Sequence, residues 1–351
     1  MKILHAADLH LDTAFVGHSD VHAQYLKKQL LSVPEKIARL CSLHHCDVLL
    51  LSGDLFDGPA TQDSILALKK ALRQVQVPVF ISPGNHDFCT PDSPYLTEMW
   101  PENVHIFKKP QVETLALPQL NCRFYGAGFS SMDCAPLLEN FQAEGPEAWH
   151  IGIFHGDPLQ KHSPYCPITQ SQVAASGLHY LALGHIHKAG QFTSGSTLCA
   201  WPGCPMGRGN DETGEKGVYL VTLENAVSVQ FLPLDTPRFF DLEVEVQTTA
   251  AEALRSVLPP IGNQDFYRIT LTGESEAFEI ATITPEDFPH LTVRDLTVPP
   301  TDLWGSIGQD NLEGVFFGLL QDALQSGEEE AVLLAAKISR RILDGREVTL
   351  P

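Results

Sequence analysis

The sequence predicts an α/β protein in which two mixed sheets pack face to face between flanking helices. Three observations lead there. Ile3–Ala7, Val48–Ser52 and Val77–Ser82 are apolar runs, each followed at once by a polar, Gly-containing loop. The segments between them carry helical patterns, so the chain opens as a βαβαβ unit. Farther on, Val218–Leu223 and Val227–Leu232 are separated only by Glu224-Asn225-Ala226 and read as an antiparallel hairpin. A parallel first half and an antiparallel later part fit two mixed sheets.

The elements follow in order. A helix is expected over roughly Tyr25–His45, with Pro34 as a break or a first-turn residue. Ile65, Leu68, Ala71, Leu72 and Val75 recur at helical spacing and predict the next one. Further strands are expected at about Cys122–Ala127, His150–Phe154 and Tyr180–Leu183. At Asp235-Thr236-Pro237 the character changes, which closes a first domain over 1–235. Leu242, Val244 and Val246 then alternate with Asp241, Glu243 and Glu245, as a half-exposed strand does. A helix over Ala250–Leu258, stopped by Pro259-Pro260, and strands at Tyr267–Thr272 and Leu291–Val298 complete a small domain over 236–300. After Pro299-Pro300, an apolar stripe runs through Leu312, Val315, Phe316, Leu319, Leu320, Ala323 and Leu324. Ser326-Gly327 breaks it, and a second stripe follows through Ala331, Leu334, Ala335, Ile338 and Ile342, so 301–351 is expected to be a helical tail.

Composition excludes some functions. Lys and Arg number 23 against 43 Asp and Glu, a net charge of −20, which argues against a broad basic face for nucleic acid. Any such contact must rest on a few local cations, on metals or on a partner. No apolar run approaches the roughly 20 residues that span a bilayer, and the start of the chain lacks a signal-peptide pattern. A cytoplasmic protein is expected. The eight cysteines form no C-x-x-C pair, so free, mostly buried thiols are expected.

Five motifs stand at strand ends. They are Asp8-Leu9-His10, Gly53-Asp54-Leu55-Phe56-Asp57, Gly84-Asn85-His86-Asp87, His155-Gly156-Asp157 and Gly184-His185-Ile186-His187. Ligands of open α/β sheets bind at the carboxyl ends of strands, so all five project onto one rim. Asp, Asn and His offer oxygen and nitrogen donors, a set that suits manganese, iron or zinc rather than copper or calcium. Two divalent ions about 3.5–4 Å apart need a bridging carboxylate and together clamp the attacking and leaving oxygens of phosphoryl transfer. Asp54 is the natural bridge among the candidate metal ligands Asp8, His10, Asp54, Asn85, His155, His185 and His187. D-x-H alone is a weak signal, but the ordered set of five is a strong one. The histidines outside the motifs read as structural, and His5 as core. Asp12 either supports the site or caps the next element. Arg208, with Lys216 nearby, is a candidate phosphate contact in a Gly-rich loop whose other reading is a surface loop.

The ordered motifs resemble the calcineurin-like metallophosphoesterase superfamily. The resemblance implies a four-layer αββα sandwich with one metal on Asp8, His10 and His187, the other on Asn85, His155 and His185, and Asp54 between them. It implies that a hydroxide attacks phosphorus in line, that His86 is the general acid or transition-state stabiliser, and that Asp57 orients it. Gly58-Pro59 and Asp87 depart from the protein Ser/Thr phosphatases, and His10 departs from the purple acid phosphatases. Ile3 to Asp12, and Trp201 to Arg208 followed by Glu212, Gly214 and Lys216-Gly217, look like the SbcD/YhaO-like DNA repair exonuclease branch. That branch implies a manganese-dependent DNA nuclease, a capping domain after 236, and a tail that docks an SbcC-like, SMC-type coiled-coil ATPase. A second copy of the chain is a further candidate partner. Two other functions stay open: a small-molecule phosphodiesterase or phosphatase with the small domain as a lid, and a scaffolding subunit with weak activity alone.

Overall fold

In the computed structural model, which describes residues 1–247, 249–275, 287–324 and 329–345, the chain begins with the expected parallel unit. Strand β1 (Lys2–Ala6), helix α1 (Asp20–Leu43), strand β2 (Val48–Leu51), helix α2 (Gln62–Gln74) and strand β3 (Val79–Ile81) alternate. β1 pairs parallel with β2, and β2 with β3. Every residue of β2 and β3 is buried, as a continuous apolar run covered on both faces must be. α2 is capped by Thr61, whose side chain accepts from the Ser64 amide, and buries Ile65, Leu68, Ala71 and Leu72.

Helix α1 corrects the expectation for Pro34. It starts earlier than the apolar pattern indicated, at Asp20, because Ser19 caps it by accepting from the His22 amide. It then runs straight through Pro34, which is neither a break nor a first-turn residue. The ring costs one i→i−4 hydrogen bond, but the buried face around it, with Leu30, Val33 and Ile37, holds the helix on the core.

The chain continues through α3 (Pro94–Thr97), β4 (Val104–Ile106), β5 (Glu113–Leu117), β6 (Cys122–Gly126), β7 (Trp149–His155) and α4 (Gln170–Ala175). Next come β8 (Tyr180–Gly184), β9 (Gly190–Ser194), β10 (Thr197–Trp201), β11 (Gly217–Leu223) and β12 (Val227–Pro233). One six-stranded sheet has the order β12-β11-β1-β2-β3-β4, the other β5-β6-β7-β8-β10-β9. Both are mixed: β1 is antiparallel to β11, and β5 to β6, while β6, β7 and β8 run parallel. The hairpin forms with Val218 opposite Leu232 and Leu223 opposite Val227.

Alternation along the strands builds the layers. Ile3, Val48, Leu50 and Phe80 face Phe124, Ile151, Ile153 and Tyr180 between the sheets. Leu4, Leu49 and Leu51 turn the other way, under Leu30 and Val33 of α1 and Leu68 of α2. Phe154, Leu181 and Leu183 likewise turn outward against Val173 of α4. This is an αββα sandwich. His5 crosses the seam: it is fully buried, with Nδ1 2.8 Å from Tyr180 Oη and Nε2 2.8 Å from Ser52 Oγ.

The chain divides into two units, Met1–Phe240 with Gln264–Tyr267, and Asp241–Asn263 with Arg268–Pro351. The second is built on a three-stranded sheet of β13 (Phe239–Val246), β14 (Phe266–Gly273) and β15 (Leu291–Asp295), with α5 (Ala250–Val257) packing Ala250 and Leu254 on Val246, Ile269 and Leu271. Helices α6 (Leu312–Ala323) and α7 (Glu329–Leu343) pack around Leu303, Phe317 and Ala336. Much of the α6 stripe stays uncovered, with Leu312 86% and Leu319 65% exposed. Ser326-Gly327 lies outside the described residues. All eight cysteines are free thiols. No helix among the described residues is long and apolar enough to cross a membrane.

Candidate metal centre

The seven candidate ligands come from the ends of five strands in two sheets. Asp8 and His10 follow β1, Asp54 follows β2 and Asn85 follows β3, all in the first sheet. His155 ends β7, and His185 and His187 follow β8, in the second sheet. The loops lock together through the backbone. The amides of Asp8 and His10 donate to the carbonyls of Gly53 and Asp54 at 3.0 and 2.9 Å. The amides of His86 and His185 donate to carboxylate oxygens of Asp54 and Asp8, both at 2.9 Å.

The backbone is strained where the donors converge. Asp8, His10, Asp54 and His185 all have positive φ, of 54°, 46°, 50° and 98°. For side chains with a Cβ this conformation is unfavourable, and clusters of it mark functional sites. The motif glycines permit the close approach: a Cβ on Gly84 would lie 2.2 Å from Asp54 Oδ1, and one on Gly53 2.4 Å from His155 Nδ1.

The candidate donor atoms face one another at short range. His155 Nδ1 donates to the Ser52 carbonyl at 3.0 Å, which leaves Nε2 as a lone pair in the neutral ring. That Nε2 faces Asn85 Oδ1 at 2.9 Å and Asp54 Oδ2 at 3.3 Å, two further acceptors. Asn85 Oδ1 is also met by His185 Nδ1 at 3.2 Å. Asp8 Oδ2 is buried without a hydrogen-bond partner, an arrangement that carries a desolvation cost of about 1–3 kcal/mol unless something cationic meets it. Asp8, His10 and His187 bring ligand atoms within 4.8 Å of one another, as do Asp8, Asp54 and His155. His10 and His187 point their Nε2 atoms at each other from 3.1 Å. Burial would raise the Asp54 carboxyl pKa, but the charge and hydrogen bond of His155 hold it well below the usual carboxylate range. Burial would lower His155, but the same pairing pushes it up to about 9. The cluster thus demands positive charge at its centre, and a divalent cation fits that demand better than shared protons do.

Two histidines at the margin are each braced by a carboxylate. His86, with 43% of its side chain exposed, has Nδ1 2.9 Å from Asp57 Oδ1. That bond raises its pKa against the pull of burial, while Asp57, with His10 Nδ1 3.6 Å away and His86 hydrogen-bonded to it, is held low. Thr13 Oγ1 donates to the other Asp57 oxygen at 3.0 Å. In the second pair, His187 Nδ1 lies 2.7 Å from Oε1 of the buried Glu212. A carboxylate at that distance takes the Nδ1 hydrogen and leaves Nε2 free to ligate. No role for Glu212 is legible in the sequence. Its signal was a lone acid four residues after Arg208 in a Gly-rich loop.

Arg208 is held in place by Glu212. Its Nη2 and Nε bond Glu212 at 2.6 and 3.2 Å, Nη2 lies 2.8 Å from His187 Nδ1, and Nη1 stands 4.0 Å from Asp57 Oδ2. Its side chain is largely enclosed, with 19% of its surface exposed. Asp87 was also left without a role, yet it takes the amides of Gly84, Leu55 and Phe56 and the Tyr95 hydroxyl, tying two motif loops together. Asp12 turns away from the centre: it accepts from the Thr61 amide and hydroxyl and from Ser64 Oγ, bracing the start of α2.

A sandwich of two mixed sheets with such a donor cluster at its strand ends defines a metallophosphoesterase. The chain belongs to the calcineurin-like phosphoesterase family, whose model matches residues 1–189. This is a family of hydrolases. The chain is 34% identical to the uncharacterized metallophosphoesterase YhaO of Bacillus subtilis, over 66% of its own length and 60% of that relative. It is 24% identical to the DNA double-strand break repair protein Mre11 of Saccharolobus solfataricus, over 55% of its length and 51% of that relative. The chain therefore spans less than two thirds of either relative. A dimetal phosphatase structure from Danio rerio aligns at 12% identity with a TM-score of 0.45, over 67% of this chain and 96% of the other.

Proposed function

We propose that this chain is a two-metal phosphodiesterase that cuts DNA, a cytoplasmic repair nuclease subunit acting with an SbcC-like coiled-coil ATPase. The observation that carries the reading is the set of facing acceptors, His155 Nε2, Asn85 Oδ1 and Asp54 Oδ2, beside an exposed His86–Asp57 pair. Asp8, His10 and His187 would hold one ion and Asn85, His155 and His185 the other, with Asp54 available to both. Manganese suits the mixed oxygen and nitrogen donors. Two such ions, when bound, supply charge stabilisation for the phosphoryl group and lower the pKa of water.

The chain's own residues do the rest. Asp57 accepts from His86 Nδ1 and keeps the imidazolium favourable, so Nε2 holds a proton for the leaving oxygen. Arg208, fixed by Glu212, presents Nη1 on the same margin as a phosphate contact. Residues 236–300 act as a cap, and the exposed stripe of α6 within 301–351 docks the ATPase as an amphipathic helix in a groove. The ATPase would supply the basic surface that a chain of net charge −20 lacks.

The test offers single-stranded DNA, duplex DNA, a simple phosphodiester and a simple phosphomonoester to the purified protein with manganese, alongside Asn85→Ala and His86→Ala. DNA cleavage that both variants lose, with little monoester turnover, supports the nuclease. Hydrolysis of small substrates alone would turn the assignment to a small-molecule phosphodiesterase, and no turnover with stable ATPase binding would turn it to a scaffold.

A further inference from the structure

Two hollows flank the metal centre, and their walls differ in charge. Beside His86 lies a cleft of about 600 Å³, within the range of small-ligand sites. Pro59, Phe88, Pro94 and Met132 give it apolar walls, and Gln62 and Thr90 add hydrogen-bonding groups. Among the described residues no Lys or Arg lines it. Its acids cannot welcome a phosphate either. Asp57 and Asp87 are engaged as described above, Glu98 is paired with Lys69 at 2.8 Å, and Asp92 is an exposed acid. Beside His187 lies a smaller hollow of about 310 Å³, lined by Lys188, Lys216 and one acid, Glu215, together with Tyr219 and Phe231.

We infer that the cleft beside His86 is the subsite for the neutral part of the leaving group, a nucleoside whose base lies between Phe88 and Met132, and that the phosphate-bearing remainder runs toward Lys188 and Lys216. The inference rests on the phosphodiesterase reading above. A proton donor stands where the leaving oxygen departs, so what fills the space beside His86 is the leaving group. A wall of apolar surface and uncharged hydrogen-bonding groups accepts a base and sugar. It offers no cation to replace the counterions around a second phosphate. Base removal therefore weakens binding on one side of the scissile bond only, and the side affected gives the strand polarity of cleavage.

The experiment measures initial rates on the full chain with manganese, using a dinucleoside monophosphate and two analogues, each lacking the base on one side of the phosphodiester. Removing the base of the leaving nucleoside is expected to raise KM roughly tenfold, as loss of one stacked base does. Removing the other base leaves KM within about twofold. In Met132→Ala, a change at an exposed side chain, and in Phe88→Ala, the tenfold difference shrinks while the response to the second analogue is unchanged. A 5′- or 3′-terminal phosphate added to the leaving nucleoside raises KM. Equal KM for all three substrates in the unaltered protein overturns the subsite and leaves the phosphodiesterase standing, as does an equal rise for all three in Met132→Ala. Failure to hydrolyse the dinucleotide and DNA alike overturns both.

Discussion

His86 and His187 are built alike and surrounded differently. Each stands within hydrogen-bond reach of a carboxylate through Nδ1, Asp57 at 2.9 Å and Glu212 at 2.7 Å. The Asp57 side chain is 26% exposed and His86 43%, whereas Glu212 is 8% exposed and shares its charge with Arg208. His86 lines the cleft, while His187 Nε2 aims at His10 inside the cluster. The lesson is that a His–carboxylate pair has no role of its own. On the function proposed above, exposure suits His86 to donate a proton, and convergence with other lone pairs suits His187 to ligate.

The largest effect should come from the exposed pair. His86→Asn is expected to lower kcat by about 10²–10⁴ and leave manganese affinity by calorimetry unchanged. A parallel loss of affinity would erase the distinction between the two histidines. Glu212→Gln should do the opposite, weakening manganese binding by about 10–100-fold, with activity recovering in excess metal. Activity that stays low at saturating manganese would assign Glu212 to the chemistry instead. Metal removal separates the pairs by stability: manganese at about 100 times its Kd adds about 2.7 kcal/mol, which a chelator removes. That loss in melting temperature should persist in His86→Asn and shrink in Glu212→Gln.

His5 provides the control, a buried histidine with no carboxylate beside it. Burial pulls its pKa down from 6.5 to about 3. The folded chain keeps it neutral while the unfolded chain takes up a proton. Its contribution to stability is therefore full above pH 6.5 and is lost as pH falls toward about 3. The slope is at most about 1.4 kcal/mol per pH unit. In His5→Gln, urea denaturation across that window should show a shallower decline. An unchanged slope would mean that another group carries the proton uptake.

The sequence exposed the centre more fully than its supports. Asp8, His10, Asp54, Asn85, His155, His185 and His187 were legible because each stands near the end of an apolar run, within two residues of glycine or another donor. Glu212 was not, because its partner is 25 residues away and its loop has no periodicity. β1, β2 and β3 were legible as continuous apolar runs. β4, β5 and β9 do not stand out in the sequence, since Val-His-Ile, Glu-Thr-Leu-Ala-Leu and Gly-Gln-Phe-Thr-Ser are short or half-polar, and sheet pairing rather than propensity makes them strands. Pro34 misled because the local cost of a proline is visible in sequence, while the buried face that outweighs it is not.

The candidate ligands are split between the sheets, with Asp8, His10, Asp54 and Asn85 on one and His155, His185 and His187 on the other. Either sheet alone holds only part of each proposed set. The centre therefore behaves as a logical AND: it can close only when both halves of the sandwich have docked in register. A metal-binding signal followed during refolding would report that docking, and two fragments divided between β4 and β5 would each be silent until they recombine.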